Sequence, residues 1–441
     1  MTQRVFSSSL PGGSREHPPW LQQVLDDQGP APRIFAWSLS NLPAETGHAS
    51  KANREQQWAD PRQRVYILGL GNLGRLFATC LAKLPNRPPI TLVVHRRELL
   101  EHWLSSPGIE MTRQGVTERT EDFEIEWWTD EKPIVGDIKE VGHNKPISNL
   151  IVATKAPAAI PQVDRLRGYL DSKSTVVFIQ NGMSRLWPPY GAFYNSHRYP
   201  AGTHPNWMLG VTMHGVYSEG TFRSVFASPA DVILGPVSLS DKDGEASDYL
   251  TKQITSASEL AGKIVSRPQV WILQLEKLVI NMVINPLTAI LRVKNGKLFE
   301  QPGSGIENVM DLILEETSKV YQALVRHDST QEVSQNTTPT KEHGEQLSRQ
   351  ALLERFSAPR FKVMLHQVGE KVKENRSSMF QDVVAGKPTE IREFNGWLVE
   401  TANFLDPNLD VTSHKTLIEL VEAGVVLEAS ELGRYFPGIN K

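Results

Sequence analysis

From Val65 onward the apolar positions come in short runs and helical stripes that alternate in a definite order. VYILGL (65–70) is a compact apolar run of strand type, GNLGRLFATCLAKL (71–84) is apolar at helical spacing, and ITLVVHRR (90–97) opens as a second apolar run. Together they predict a strand–helix–strand unit. The alternating FEIEWW (123–128), set among short polar connections across 101–147, predicts strands near one edge of a sheet. NLIVATKAP (149–157) and STVVFIQNGM (174–183) read as strands that emerge into loops at Thr154–Lys155 and at Asn181–Gly182. Residues 208–236 have the strand-and-turn rhythm of a β-meander closing this part of the chain.

The period changes at about residue 246, where helical spacing takes over. Leu275 to Ile284 predicts a helix on which Lys277 and Asn281 share a face, with Asn285 near the same line. Pro286 predicts an end or kink there, with Asn285 as the alternative N-cap of a new helix. Residues 305–326 predict a further helix with Met310, Ile313, Leu314 and Val320 toward the core, and Ser413 to Glu428 an amphipathic helix that closes the chain. Three regions follow: an N-terminal extension (1–60), an α/β Rossmann-type dinucleotide-binding domain (61–267) and an all-α C-terminal domain (268–441), with a cleft between the last two. The extension is rich in Pro, Gly, Ser and Asn, and is expected to be partly disordered and packed onto the body through Trp20, Phe35 and Trp37. The polar segment at about 328–348 predicts an inserted loop without chemistry.

Composition narrows the classes. A net charge of −3 with 22% charged residues gives no basic field for nucleic acid, so no polyanionic partner is expected. Cys80 is the sole cysteine, which rules out an intramolecular disulfide and a four-cysteine zinc site. No run of about 18 apolar residues suggests a membrane span. MTQRVFSSSLPGGSR (1–15) lacks acids and resembles a mitochondrial leader, although Pro11, Gly12 and Gly13 disfavour an amphipathic helix; a cytoplasmic protein is the first expectation.

Candidate chemistry begins at Gly69, Leu70, Gly71, Asn72, Leu73 and Gly74, a G-x-G-x-x-G loop between a strand and a helix. The first glycine permits the turn, the second admits a pyrophosphate to the backbone, and the third lets helix and strand pack closely, while the helix N-terminus offers N–H donors. The second strand ends in His95, Arg96 and Arg97 rather than an acid, which favours NADPH over NADH, with Arg96 as partner of the 2′-phosphate. Lys155 and Asn181 lie at carboxyl ends of strands, where a nicotinamide or substrate is reached. Lys277 reads either as a solvated surface lysine or, with Asn281 and Asn285, as the polar face of a cleft, because buried ammonium and amide groups need partners. Ser378 and Gln381 fit a capping box, Gly386 a helix end, and Glu390 the first turn of the next helix. His214 is read as structural.

KLVINMVINPLTAI (277–290) followed by Asn295-Gly296 resembles a signature of the ketopantoate reductase family, and SSMFQDVVAGKPTEI (377–391) followed by Asn395-Gly396 resembles a second. The resemblance spans roughly 64–435. It implies an NADPH-dependent reduction of 2-dehydropantoate to (R)-pantoate. It further implies Lys277 as proton donor, Glu390 beside substrate and cofactor, and Asn181, Asn281, Asn285, Asn295, Ser378 and Asp382 around the hydroxy acid. Lys155 and Asn181 would line the nicotinamide side. One departure is Ala158, where the family often has glutamine. A small-molecule 2-oxo acid is then the expected partner, with a homodimer left open. The rival readings are a reductase of another branched 2-oxo acid and a non-catalytic mitochondrial binding protein on the same fold.

Overall fold

The structure is a computed structural model that describes residues 17–43, 60–240, 248–335 and 348–437. The segment 1–15 read as a leader, most of the polar insertion (336–347) and much of the extension (1–16 and 44–59) lie outside these residues.

Thirteen strands form among the described residues: β1 (Phe35–Trp37), β2 (Val65–Leu68), β3 (Ile90–Val94), β4 (Ile109–Arg113), β5 (Val116–Thr120), β6 (Glu124–Thr129), β7 (Asn149–Val152), β8 (Thr175–Phe178), β9 (Asn206–Thr212), β10 (Gly215–Gly220), β11 (Arg223–Ser228), β12 (Val232–Ser238) and β13 (Gly262–Ile264). Nine of them make one sheet in the order β1-β6-β3-β2-β7-β8-β9-β12-β13. The six from β6 to β9 are parallel. Their order is that of a doubly wound dinucleotide-binding sheet, with the reversal of winding between β2 and β7 and a crevice at the carboxyl ends beside it. β2, β3, β7 and β8 are buried at every position, as strands covered on both faces must be.

FEIEWW lies near the edge of the sheet, as expected, one strand in: β1 of the extension pairs antiparallel with β6 and takes the outermost place. The next segment departs from the expected plan. Residues 208–236 are not one meander: β9 and β12 pair in the main sheet, whereas the β10–β11 hairpin leaves it to join β4 and β5 in a second sheet of order β10-β11-β4-β5. Aromatic anchors account for the detour. Phe222 packs edge-on against Trp103 at 5.1 Å, and Phe226 against His214 at 5.1 Å. His214 Nδ1 also accepts from the Ala230 N–H, so this histidine serves the hairpin.

Two apolar cores lie on the two faces of the sheet. One is shared with the helical part without interruption, including helices Arg267–Leu291, Gly305–Arg326, Ala358–Lys371 and Thr412–Glu422. The helix Arg267–Leu291 starts at a capping box formed by Ser266 and Gln269 and ends where Arg292 turns left-handed. It runs through Pro286, so the predicted end is absent. A proline withholds the N–H that the carbonyl four residues earlier needs, and here that carbonyl, of Met282, accepts from Asn395 Nδ2 at 3.1 Å instead. Among the described residues this is the one helix long and apolar enough to cross a membrane, but 72% of its most apolar stretch is buried inside the protein. The start of the 328–348 insertion is ordered as a turn at Asp328–Thr330 and a helix at Gln331–Gln335, held by buried Val333.

Candidate active site

The glycine loop is shaped by close approach. Gly69 has φ +99°, and a β-carbon there would lie 3.0 Å from backbone atoms of Ala153 and Thr154. At Gly74 a β-carbon would lie 2.1 Å from the Gly69 carbonyl oxygen. Gly71 is exposed, and a β-carbon there would meet protein only at 3.9 Å, so the space before it is open. Helix Asn72–Ala82 begins at this point and directs its first N–H groups to the loop. Leu70 is buried and Leu73 half-buried, and the Asn72 side chain accepts from Ser224 Oγ at 3.1 Å.

Arg75, which the spacing argument passed over, is the clamp of this loop. Its Nε donates to the Leu70 carbonyl at 2.8 Å, and its Nη1 to the carbonyls of Gly220 and Arg223 at 2.9 and 2.8 Å. Burial pulls the guanidinium down to about 10. A cation in the first turn of a helix opposes the dipole, which is the signal that could have marked it. At the end of β3, Arg96 is exposed and has no carboxylate partner among the described residues. Arg97 is instead engaged, 2.9 Å from Glu101 and 5.8 Å over the Trp37 ring of β1.

Across the crevice, Lys277 Nζ donates to Asn181 Oδ1 at 2.9 Å and to the Thr212 carbonyl at 2.6 Å. Burial draws its pKa down to about 8, and the negative charge of Glu390 opposes this. The Asn181 loop is fixed behind: Gln274 Nε2 donates to the Gly182 carbonyl at 2.8 Å, and Trp187 Nε1 to Gln274 Oε1 at 2.6 Å. Gln180, Asn181, Leu209, Val211, Lys277 and Asn281 line a recess of about 230 Å³ including its mouth. Asn285 is buried and its Nδ2 lies 3.5 Å from Asn281 Oδ1. Thr154 Oγ1, Gln180 Oε1 and Asn281 Nδ2 are buried without a hydrogen-bond partner among the described residues. Buried polar atoms are ordinarily paired, so these three fit a site that receives polar ligands.

Several expected site residues are engaged with protein partners. Glu390 does not hold Lys277: its Oε1 accepts from the Ala156 N–H at 3.0 Å and its Oε2 lies 3.8 Å from Lys155 Nζ. Burial pushes the Glu390 carboxyl up, against the pull of Lys155 and the Ala156 N–H. Lys155 and Asp382 pair with each other at 2.8 Å, bridging the sheet to helix Ser378–Val384; burial lowers the Lys155 ammonium, but Glu390 and Asp382 more than offset it. The cap of that helix is Ser377, whose Oγ accepts from the Phe380 N–H at 3.0 Å and meets Thr288 Oγ1 at 2.7 Å. Ser378 is therefore exposed in the first turn, and Gln381 donates to the Arg376 carbonyl rather than closing a box. Asn295 braces the segment before it, through its N–H to the Asn375 carbonyl at 3.0 Å and its Nδ2 to the Val372 carbonyl at 3.2 Å.

Known proteins match this architecture along most of its length. Residues 65–238 fit the family profile described as ketopantoate reductase PanE/ApbA, and residues 270–424 its C-terminal counterpart. The chain is 42% identical to the ketoisovalerate reductase BEA2 of Gibberella fujikuroi over 447 aligned positions, covering 96% of this chain and 99% of that one. It is 40% identical to the ketoisovalerate reductase of Beauveria bassiana, covering 96% and 99%. Among solved structures, D-mandelate dehydrogenase with NADH and anilino(oxo)acetate superposes with a TM-score of 0.59 at 17% identity, over 84% of this chain and 99% of that one, a likeness of fold. A parallel sheet opening at a glycine loop, a lysine and two asparagines on the facing helix, and matches to both halves lead to one statement of kinship: the chain belongs to the ketopantoate reductase family.

Proposed function

We propose that the protein reduces a branched 2-oxo acid with NADPH, and that 2-oxoisovalerate (ketoisovalerate) is the acid. The observation that carries the reaction is the Lys277 ammonium, set in the recess with a pKa drawn down to about 8. The choice of acid rests on the relatives of 40–42% identity that bear that name across nearly the whole chain. The second reading, 2-dehydropantoate, rests on the family description.

The residues present fit a dinucleotide. The open space at Gly71 and the N-terminus of helix Asn72–Ala82 suit a pyrophosphate, and Arg96, which pairs with no acid among the described residues, suits the 2′-phosphate of NADPH. Thr154 and Gln180 offer unpaired oxygens at the ends of β7 and β8. When bound, the reduced cofactor supplies a hydride to the carbonyl carbon.

The chain supplies the proton and the orientation. An ammonium has three donors. Lys277 commits two, to Asn181 and Thr212, which leaves one for the carbonyl oxygen, where it stabilises the developing charge and then transfers its proton. Asn281 Nδ2 is a free donor for the substrate carboxylate, with Asn285 behind it. Leu209, Val211 and Leu278 give the apolar wall that an isopropyl group needs. Asp382 and Glu390 hold Lys155 from the helical side, and Glu390 also fixes the start of helix Ala156–Arg165.

The test is NADPH oxidation by the full-length protein with 2-oxoisovalerate and 2-dehydropantoate in parallel, for wild type and Lys277→Ala. Higher kcat/KM with 2-oxoisovalerate, lost in the variant, supports the proposal. Preference for 2-dehydropantoate transfers it to the second reading, and turnover of neither rejects both.

A further inference from the structure

The break in the catalytic helix has its remedy on another element. Pro286 follows Asn285 directly and removes the N–H that would bind the Met282 carbonyl, one turn back and next to Asn281. A carbonyl left unpaired in this apolar core would let water or a bend into the ladder, at the face that carries Lys277, Asn281 and Asn285. Asn395 stands there instead. It is fully buried, and its Nδ2 donates to the Met282 carbonyl at 3.1 Å and to His414 Nδ1 at 3.1 Å.

The second contact fixes the first. His414 is fully buried, with Nε2 at 3.1 Å from Thr317 Oγ1 and 3.3 Å from the Ile313 carbonyl. Thr317 Oγ1 spends its own proton on the Ile313 carbonyl at 2.7 Å, so it accepts from His414 Nε2. The imidazole therefore carries its hydrogen on Nε2 and offers a lone pair at Nδ1. A flipped amide would set an oxygen against both the Met282 carbonyl and that lone pair, so only one orientation fits. His414 is itself anchored, because the N–H groups of Ser413 and His414 donate to Glu316 at 2.9 and 3.3 Å.

Asn395 also sits in a single π-helical turn, Arg392–Gly396, that follows Glu390 closely in the chain. The same turn touches the Asn181 loop: a β-carbon on Gly182 would lie 3.1 Å from the Glu393 carbonyl oxygen. A π-turn shifts the phase of the helix after it and is common where a side chain must be re-aimed.

We propose that Asn395 is a positioning residue for the reduction: from a side chain it supplies the hydrogen bond that Pro286 withholds, and thereby sets the helix bearing Lys277, Asn281 and Asn285 in register with the segment bearing Glu390. It touches neither substrate nor cofactor, and acts through the helix. The inference rests on the reductase reading above.

The experiment is a cycle in the full-length protein: wild type, Asn395→Ala, Pro286→Ala and the double variant, each measured for kcat and KM with 2-oxoisovalerate and 2-dehydropantoate, NADPH affinity by fluorescence, and Tm. Asn395→Ala is expected to lower kcat about tenfold or more, since small misplacements of reacting groups are costly, while NADPH affinity stays within about twofold. Pro286→Ala should rescue it, because alanine returns an N–H to the Met282 carbonyl, so the double variant regains most of the lost kcat. Should Asn395→Ala not fold, the comparison is Pro286→Ala with and without Asn395→Ala, whose kcat values should agree within about twofold. A double variant that regains Tm but not kcat overturns the inference, as does an Asn395→Ala protein with wild-type kcat. A wild type inactive toward both acids removes the reductase reading and the inference with it, whereas an active wild type indifferent to Asn395 removes the inference alone.

Discussion

At the Gly69–Gly74 end of the crevice the protein works with backbone: a left-handed turn, a 2.1 Å approach that excludes any side chain at Gly74, and N–H groups at a helix start. At the Lys277 end it works with side chains, and the groups that hold that helix and its lysine come from three distant segments, at Asn181, Thr212 and Asn395. A site made of backbone is specified locally and fails as a unit when one glycine changes. A site made of side chains is specified at a distance, and it fails by degrees.

The largest expected effect breaks the side-chain end alone. Lys277→Ala should lower kcat by about 10²–10⁴-fold, the usual reach of a general acid, while Tm holds or rises because a desolvated ammonium is gone. Activity assays paired with thermal melts check both halves of that statement. Gly74→Val should do the reverse at the backbone end, costing about 3 kcal/mol or more through overpacking against the Gly69 carbonyl and abolishing NADPH binding, as read by chemical denaturation and cofactor fluorescence.

A third outcome concerns acid. The fold holds His414 neutral, with burial drawing its pKa from 6.5 to about 4. The unfolded chain takes up the proton first, so the contribution is present above pH 6.5 and is lost as pH falls toward 4, about 3 kcal/mol in all. Denaturation at pH 7 and pH 4.5 should show this loss in wild type and a smaller one in His414→Gln, while the glycine loop, whose clamp Arg75 stays protonated across this range, should add nothing to it.

Smaller again, the rate of reduction at saturating substrate should decline above pH about 8 as Lys277 loses its proton, by about tenfold per unit once deprotonation dominates. The smallest effect sharpens cofactor choice. Arg96→Ala should raise KM for NADPH by about tenfold, the worth of one charge-assisted contact, and leave KM for NADH nearly unchanged.

The same contrast explains what could be read in the sequence. The strand–helix–strand unit, the glycine spacing and the helical character of 275–284 are local patterns, and each appears in the structure. Pro286 misled because its compensation lies in a different helix, on Asn395. The cap fell on Ser377 rather than its neighbour because tertiary contact with Thr288 chose between two adjacent serines. Thr212 acts through a carbonyl, which no side-chain pattern can announce. Lys155 and Asp382, expected on opposite ligands, meet each other because the crevice brings two strangers in sequence within 2.8 Å.

Strand β1 has a consequence for proteolytic trimming. It covers the outer edge of β6 through the pairs Phe35–Thr129, Ala36–Trp128 and Trp37–Trp127, and puts Trp37 under Arg97, the neighbour of Arg96. Cleavage before His17 would spare all of these contacts. A cut a few residues past Ile34 would leave β6 with an uncapped row of peptide groups, open to strand addition by another chain, and would loosen the arginine pair at the end of β3, so the sheet itself sets how far a protease could shorten the chain from this side without harm.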